Sequence, residues 1–326
     1  MTEVRLALVG AGRLGALHAQ KCAQQPGARL RYVVDVNAAR AQRVAAGAAA
    51  AILADYRELK GRVEAAIVAA PSLLHHEISR YLLEEGIDVL LEKPMAATVE
   101  QARDLAAVAE RAGRILQIGH LERFNPAVVH ARSLLSRPRF TECYRLSPFT
   151  ERGIDVDVVL DLMVHDLDVV LSMTASEVVS VEALGVAVLT DRIDLANARL
   201  RFADGLIANF SASRVAARRE RKIRFFQPDA YISLDYQARS ISVYRKGEPP
   251  PDSRWPQIVV EQLEMGDADP LAEQLAAFVD SVRSRRRPPV DARDGLRVME
   301  AIERIRKAVE VSTADTVGEN PGVACG

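Results

Sequence analysis

Cysteine is scarce in this chain. Cys22, Cys143 and Cys325 are its three, far apart and in no ligand-like spacing. That excludes a disulfide framework, offers no pattern for a structural zinc or other metal, and fits a reducing compartment. A dominant charge is also missing: 43 Lys and Arg face 44 Asp and Glu, so no global field recruits nucleic acid or an anionic membrane. No apolar run approaches the ~20 residues that span a bilayer. The first residues enter a strand pattern at once and leave no room for a signal peptide. There are no internal repeats and no long linker, and the Ala-rich patch at 45–51 reads as a helix end. The expectation is a cytoplasmic protein whose partners include neither nucleic acid nor membrane. What is present is a chain of 326 residues, 49% hydrophobic, enough for about two domains with substantial cores.

The first thirty-seven residues are the most informative. Val4-Arg-Leu-Ala-Leu-Val9 reads as a strand, stops at Gly10-Ala11-Gly12-Arg13-Leu14-Gly15, and passes directly into a helical pattern. A second run, Leu30-Arg-Tyr-Val-Val34, ends on Asp35. Strand, glycine turn, helix, strand and acid make the βαβ unit that holds a dinucleotide. Gly10 permits the tight turn, Gly12 lets backbone N–H groups of Arg13 and Leu14 approach a pyrophosphate, and Gly15 lets helix and sheet pack closely; the positive helix end faces the phosphates. Asp35 accepts from both ribose hydroxyls and repels a 2′-phosphate, which favours NAD over NADP, although Arg40 is near.

To about residue 120 strands and helices alternate, as a doubly wound parallel sheet requires. Strands are expected at 50–53, 63–69, 88–91 and 115–119, a helical turn at 55–60, and helices at 38–48, 75–85 and from a Thr98/Gln101 capping box to Gly113. Beyond 120 the rhythm changes. Residues 124–135 and 158–173 look helical. Seven runs with β-alternation follow at 178–188, 193–202, 206–213, 222–226, 230–236, 239–246 and 257–264, with Ala203-Asp204-Gly205 as a hairpin signal. Asp269-Pro270 opens an amphipathic helix through Val282, and Asp291 opens the last helix, to about Val311. The fold class is therefore α/β: a Rossmann doubly wound domain at 1–121, then an α+β domain with a largely antiparallel open sheet at 122–311, and a mobile tail at 312–326.

Three clusters carry candidate chemistry. Glu92-Lys93-Pro94 ends a central strand on the carboxyl edge, where such folds bind ligands; Lys93 there is either a site residue or solvated surface. Asp161 and His165 are four apart on an apolar helix, so they share a face; they are an acid/base pair or a core histidine pinned by an aspartate. Gly119-His120-Leu-Glu-Arg123-Phe-Asn125-Pro126 carries Arg123 and Asn125 toward a ligand, or is an ordinary connection with Asn125 as a helix cap. A basic run, Arg214, Arg218, Arg219, Arg221, Lys222 and Arg224, suits a diphosphate but is more commonly a solvated loop; Arg145 and Arg152 are rivals for that role.

In this order, the glycine turn, Pro71-Ser-Leu-Leu-His75, Glu92-Lys93-Pro94, the Gly119–Pro126 stretch and Asp161-x-x-x-His165-Asp166 resemble the glucose–fructose oxidoreductase/inositol dehydrogenase (Gfo/Idh/MocA) family, across essentially the whole chain. The resemblance implies NAD-dependent dehydrogenation, with Lys93, Asp161 and His165 doing acid/base work beside the nicotinamide. Pro71, His75, Glu92 and Arg123 would line the cofactor, and Asn125, Arg152 and Arg214 would join the substrate set. Ser72 stands where the family commonly has Asn. The resemblance also implies an open sheet used to form a homo-oligomer, a dimer or tetramer. Longer stretches (120–126, 145–149, 155–163, 194–199 and 212–214) resemble the bacterial subgroup that oxidises the 3-hydroxyl of UDP-N-acetylglucosamine and feeds an aminotransferase in lipid A synthesis. A dehydrogenase of a free cyclitol or aldose, and a non-catalytic NAD- and sugar-binding regulator, are the alternatives. Asp35→Ser is expected to narrow the preference for NAD over NADP, read as the ratio of the two kcat/KM values; an unchanged ratio contradicts the role given to Asp35.

Overall fold

The computed structural model describes residues 3–151 and 156–318, with 311–318 by their backbone only. It divides into two units, residues 1–124 with 268–299, and 125–267 with 300–326.

The first unit begins β1 (Val4–Val9), α1 (Arg13–Gln24), β2 (Ala28–Val34), α2 (Ala38–Ala48), β3 (Ala51–Leu53) and β4 (Ala65–Val68). It continues α3 (His75–Glu84), β5 (Asp88–Glu92), α4 (Val99–Ala112) and β6 (Leu116–Gly119). The six strands are parallel in the order β3-β2-β1-β4-β5-β6. Chain order reverses at the β1/β4 junction, the kind of point where doubly wound sheets bind ligands. Every residue of β4, β5 and β6 is buried, so β4 and the centre of β5 read as continuous apolar runs and not as alternation. Thr98 caps α4 by accepting the Gln101 N–H, but the Gln101 side chain takes the N–H of Ala97 and not that of the cap residue, so the expected box is displaced by one residue.

The chain returns to this unit late. After Asp269, which caps it through the N–H groups of Leu271 and Ala272, α7 (Pro270–Ser284) places Leu275, Phe278, Val279 and Val282 in one cluster with Val4, Leu6, Leu8, Ala65 and Ile67. The sequence pattern alone groups 122–311 as one domain, whereas 268–299 belong to the first unit. The apolar stripe of α7 was legible, but a stripe does not name the surface it covers.

The second unit holds α5 (Pro126–Leu134), β7 (Phe140–Leu146), a π-helical turn (Val159–Met163) running into α6 (Val164–Met173), β8 (Val178–Val186), β9 (Leu195–Phe202) and β10 (Ile207–Ser213). β11 (Glu220–Phe226), β12 (Ala230–Asp235), β13 (Ser240–Lys246) and β14 (Ile258–Glu264) complete an eight-stranded sheet in the order β14-β13-β12-β11-β7-β10-β9-β8. All pairs are antiparallel except β7 with β10. The seven expected strands are present, and Gly205 at φ +88° turns the β9–β10 hairpin. β7 was not expected. Its buried positions are Thr141, Cys143 and Arg145, so no apolar alternation marks it. One sheet face is buried under α5 and α6. The other carries an aromatic ladder, Phe140–Phe226–Tyr231–Tyr244, with ring centroids 4.8–5.6 Å apart.

The last helix, α8 (Ala292–Gly318), runs past the expected end at Val311; the rest of the expected mobile tail, 319–326, lies outside the described residues. Among the described residues no helix is long and apolar enough to cross a membrane. Cys22 is a buried core thiol, pushed by that burial up to about 12. Phe278 is fully buried, so Phe278→Ala is expected to destabilise the protein by about 3–5 kcal/mol, measured by denaturant unfolding; a change below about 1 kcal/mol would mean α7 is not part of this core.

Candidate active site

The glycine turn is shaped by close approach. Gly10 has φ +99°, and a Cβ there would lie 2.5 Å from the Ala69 carbonyl oxygen. At Gly15 a Cβ would lie 1.9 Å from the Gly10 carbonyl oxygen. A Cβ on Gly12 would meet nothing within 4 Å, so the space in front of the turn is open. Gly12 caps α1 with no side-chain bond, which leaves the first amides of that helix for a ligand. Asp35 follows β2 and holds the Ala11 N–H on Oδ2 and the Asn37 N–H on Oδ1, both at 2.7 Å. Arg40 Nε is 3.9 Å from Asp35 Oδ1. Beside the turn a groove of about 430 Å³ is lined by Gly12, Arg13, Ala16, Gln20, Arg40 and Arg43, among others. An open cradle, an uncapped helix start and an acid at the strand end fit a dinucleotide.

At the end of β5, Lys93 is half-buried between Glu92 and Pro94, both buried, and the Lys93–Pro94 bond is cis. Glu92 Oε1 lies 2.7 Å from His18 Nε2 on α1, and the Gln274 side chain donates to it at 3.5 Å. Burial raises the Glu92 pKa, but the His18 hydrogen bond and charge, aided by Lys93, outweigh it and hold the carboxyl below its usual range. His75 Nδ1 lies 2.7 Å from the Pro94 carbonyl and Nε2 2.9 Å from that of Ala70. Burial lowers the His75 pKa against those carbonyls, which favour the charged ring. His120 is buried too, and burial, with Arg123 and Lys93, lowers it to about 3.

In the second unit, Val164 donates to the Val159 carbonyl, the i→i+5 bond of a π-turn, a feature that recurs at functional sites. From Val158 to Leu171 every residue is buried except Asp161, Leu162 and His165. The expected pair is therefore the polar opening on an otherwise enclosed segment, although the helix beneath Asp161 is wider than the α-helix the spacing implied. The neighbouring Asp166 is buried and takes a bidentate pair from Arg145, Nε to Oδ2 and Nη2 to Oδ1, both 2.9 Å.

Residues 4–120 match the oxidoreductase family with an NAD-binding Rossmann fold, and residues 127–232 match the GFO/IDH/MocA C-terminal domain. A UDP-N-acetylglucosamine 3-dehydrogenase from Acidithiobacillus ferrooxidans is 34% identical over 311 residues, 95% of this chain and 98% of that protein. Its solved structure superposes with a TM-score of 0.89, covering 95% of this chain and 99% of that one. An inositol 2-dehydrogenase from Pseudarthrobacter chlorophenolicus is 33% identical over 194 residues, 56% of this chain and 58% of that protein.

The chain belongs to the Gfo/Idh/MocA oxidoreductase family.

Within this family member, several expected ligand residues are committed to the protein itself. Glu92 and His75 were expected to line NAD, yet Glu92 faces His18 and Gln274, and His75 is 1% exposed with both ring nitrogens on protein carbonyls. Pro71 opens a short 3₁₀ turn, Ser72–Leu74, ahead of α3. Arg123 donates to the Pro289 carbonyl. Asn125 is buried, caps α5 through the Ala127 N–H and donates to the Tyr236 carbonyl, so the cap reading describes it. Arg145 holds Asp166. Arg214 is 5% exposed, donates to the Val156 carbonyl at 2.5 Å and sits 3.5 Å from Asp194; neither guanidinium is an open diphosphate clamp. Arg218 and Arg219 are exposed in the turn before β11. Arg152 lies outside the described residues. His18 and Gln274 were missed. The signal for His18 was present: it sits on the buried stripe of α1 with Gly15, Ala19 and Cys22.

Removing one member of a buried ion pair leaves an uncompensated charge. Arg145→Met is expected to cost about 3–5 kcal/mol and the double variant Arg145→Met/Asp166→Leu to recover most of it, both read by denaturant unfolding. Equal losses in the single and double variants would show that the pair is not the source.

Proposed function

We propose that this dehydrogenase oxidises the 3-hydroxyl of UDP-N-acetylglucosamine to the 3-keto nucleotide sugar. The observation that carries this reading is reach. Similarity to the A. ferrooxidans nucleotide-sugar enzyme extends over 95% of the chain, including the second unit, whereas similarity to the P. chlorophenolicus inositol enzyme extends over 56%. NAD, held by the Gly10–Gly15 turn and Asp35, supplies the hydride acceptor when bound.

In this reading the chain's own groups handle the proton. His165 takes it from the 3-hydroxyl, since imidazole titrates near neutral pH. Asp161 orients His165 or a sugar hydroxyl. The Lys93 ammonium holds the developing alkoxide. An exchange of roles between Lys93 and His165 is chemically equivalent in net balance: the hydroxyl loses a hydride to NAD and a proton to one of the two. Their partial exposure among buried neighbours supports this assignment. Oxidation of a secondary alcohol by NAD is uphill at equilibrium, so a cytoplasmic aminotransferase that consumes the ketone, as 3-amino sugar formation for lipid A requires, is the fitting partner. The aromatic ladder on the open sheet face supports a homo-oligomer, a dimer or tetramer, built through that face.

The test follows NADH formation with NAD and UDP-N-acetylglucosamine, with glutamate and an aminotransferase trapping the ketone, beside UDP-N-acetylgalactosamine, myo-inositol and glucose. NADH with UDP-N-acetylglucosamine alone is the expected result. NADH with a free polyol instead would overturn the substrate assignment, and no NADH with any substrate despite NAD binding would favour a regulator. Lys93→Met and His165→Ala are expected to keep NAD affinity and lose about 10²–10⁴-fold in kcat; near-normal turnover removes that residue from the chemistry.

A further inference from the structure

We infer that His18 and His75 are positioning residues for Lys93, one fixing the residue before it and the other the residue after it. The inference rests on the role proposed for Lys93 above. Lys93 is the half-open residue of a buried turn, and both its neighbours are tied to imidazoles from helices that start beside the cofactor turn. His18, on α1, meets the Glu92 carboxylate through Nε2 at 2.7 Å. His75, at the start of α3, meets the Pro94 carbonyl through Nδ1 at 2.7 Å. His18 and His75 are 0% and 1% exposed, so neither serves as a solvent-facing acid or base.

The two rings are not interchangeable anchors. Glu92 is an acceptor when ionised, so His18 carries its proton on Nε2, and among the described residues its Nδ1 is a buried atom with no hydrogen-bond partner. His75 faces carbonyl acceptors at both nitrogens, yet a neutral imidazole has a single N–H. The neutral ring therefore donates either to Pro94 or to Ala70, and only the charged ring donates to both. Gly119 completes the arrangement, because a Cβ there would lie 2.7 Å from Glu92 Oε2 and push the carboxylate off His18. Holding a reacting group within fractions of an ångström is worth large factors in rate, and a misplacement of about 1 Å costs on the order of 100-fold.

The differing nitrogens give a crossed test with near-isosteric amides. Gln places its donor near Nε2 of the histidine it replaces, and Asn places its donor near Nδ1. His18→Gln keeps the bond to Glu92 and His18→Asn loses it; His75→Asn keeps the bond to Pro94 and His75→Gln loses it. Each is compared with wild type and Lys93→Met by steady-state kinetics on the substrate found in the panel above, NAD affinity by titration calorimetry, and hydrogen exchange of the 92–96 peptide. The expected result is that His18→Asn and His75→Gln lose about 10–100-fold in kcat, with NAD affinity held and faster exchange at 92–96. His18→Gln and His75→Asn should stay within about threefold of wild type. Losses that follow thermal stability without this crossing would overturn the inference, as would wild-type kcat in all four variants while Lys93→Met is inactive. An active Lys93→Met would instead remove the reading of Lys93 itself. Should His18→Asn fail to fold, the His75 pair, which leaves the His18–Glu92 hydrogen bond intact, decides the question by the same criterion.

Discussion

A carboxylate buried at the end of β5 is the constraint around which the first unit is assembled. An ionised Glu92 without partners would cost several kcal/mol in desolvation. The fold supplies His18 from α1, the Gln274 amide from α7, and the empty side-chain position of Gly119 on β6. Gln274 is 182 residues away in sequence and is itself held by Gln117, which donates to its carbonyl at 2.9 Å. The late return of residues 268–299 to the first unit thus has a polar cause as well as the apolar one of Phe278 and its neighbours.

The same constraint joins the glycine turn to Glu92-Lys93-Pro94. His18 reaches Glu92 because α1 lies against β1, and α1 lies there because Gly15 has no Cβ to strike the Gly10 carbonyl. One helix therefore presents uncapped amides at its start and an imidazole about one turn further on. A change at Gly15 acts on both: it moves the amides meant for phosphate and the ring that holds Glu92.

Legibility followed the physics of each element. The parallel sheet, its glycine turn and Asp35 were readable because each depends on local residue type: a positive φ, a missing Cβ, an acid at a strand end. Seven strands of the second sheet were readable from alternation. β7 was not, because its buried positions are Thr141, Cys143 and Arg145, and only the contact with Asp166 makes an arginine acceptable there. The candidate site divided in the same way. Lys93, Asp161 and His165 stood out as charged groups in apolar surroundings, and the structure leaves each partly open. The roles expected of Glu92, His75, Asn125 and Arg214 depended on where each side chain points, and each has partners within the protein that residue type and spacing do not reveal.

These committed side chains share a pattern. Lys93 follows Glu92, and His165 precedes Asp166. Lys93 and His165 are thus each the chain neighbour of a buried carboxylate, which is paired with a side chain from another element: His18 in one unit, Arg145 in the other. Pairing two buried charges contributes little net stability relative to an apolar replacement, but it fixes direction, since a bidentate or short charge-assisted bond tolerates little rotation. An anchor one residue away restricts the backbone of Lys93 or His165 while leaving its side chain partly exposed. Hydrophobic packing alone would bury the neighbours equally well without setting their orientation. The two buried pairs therefore orient the segments that carry Lys93 and His165, the residues proposed to handle the proton, and preorganisation of such groups is worth the desolvation that the pairs cost.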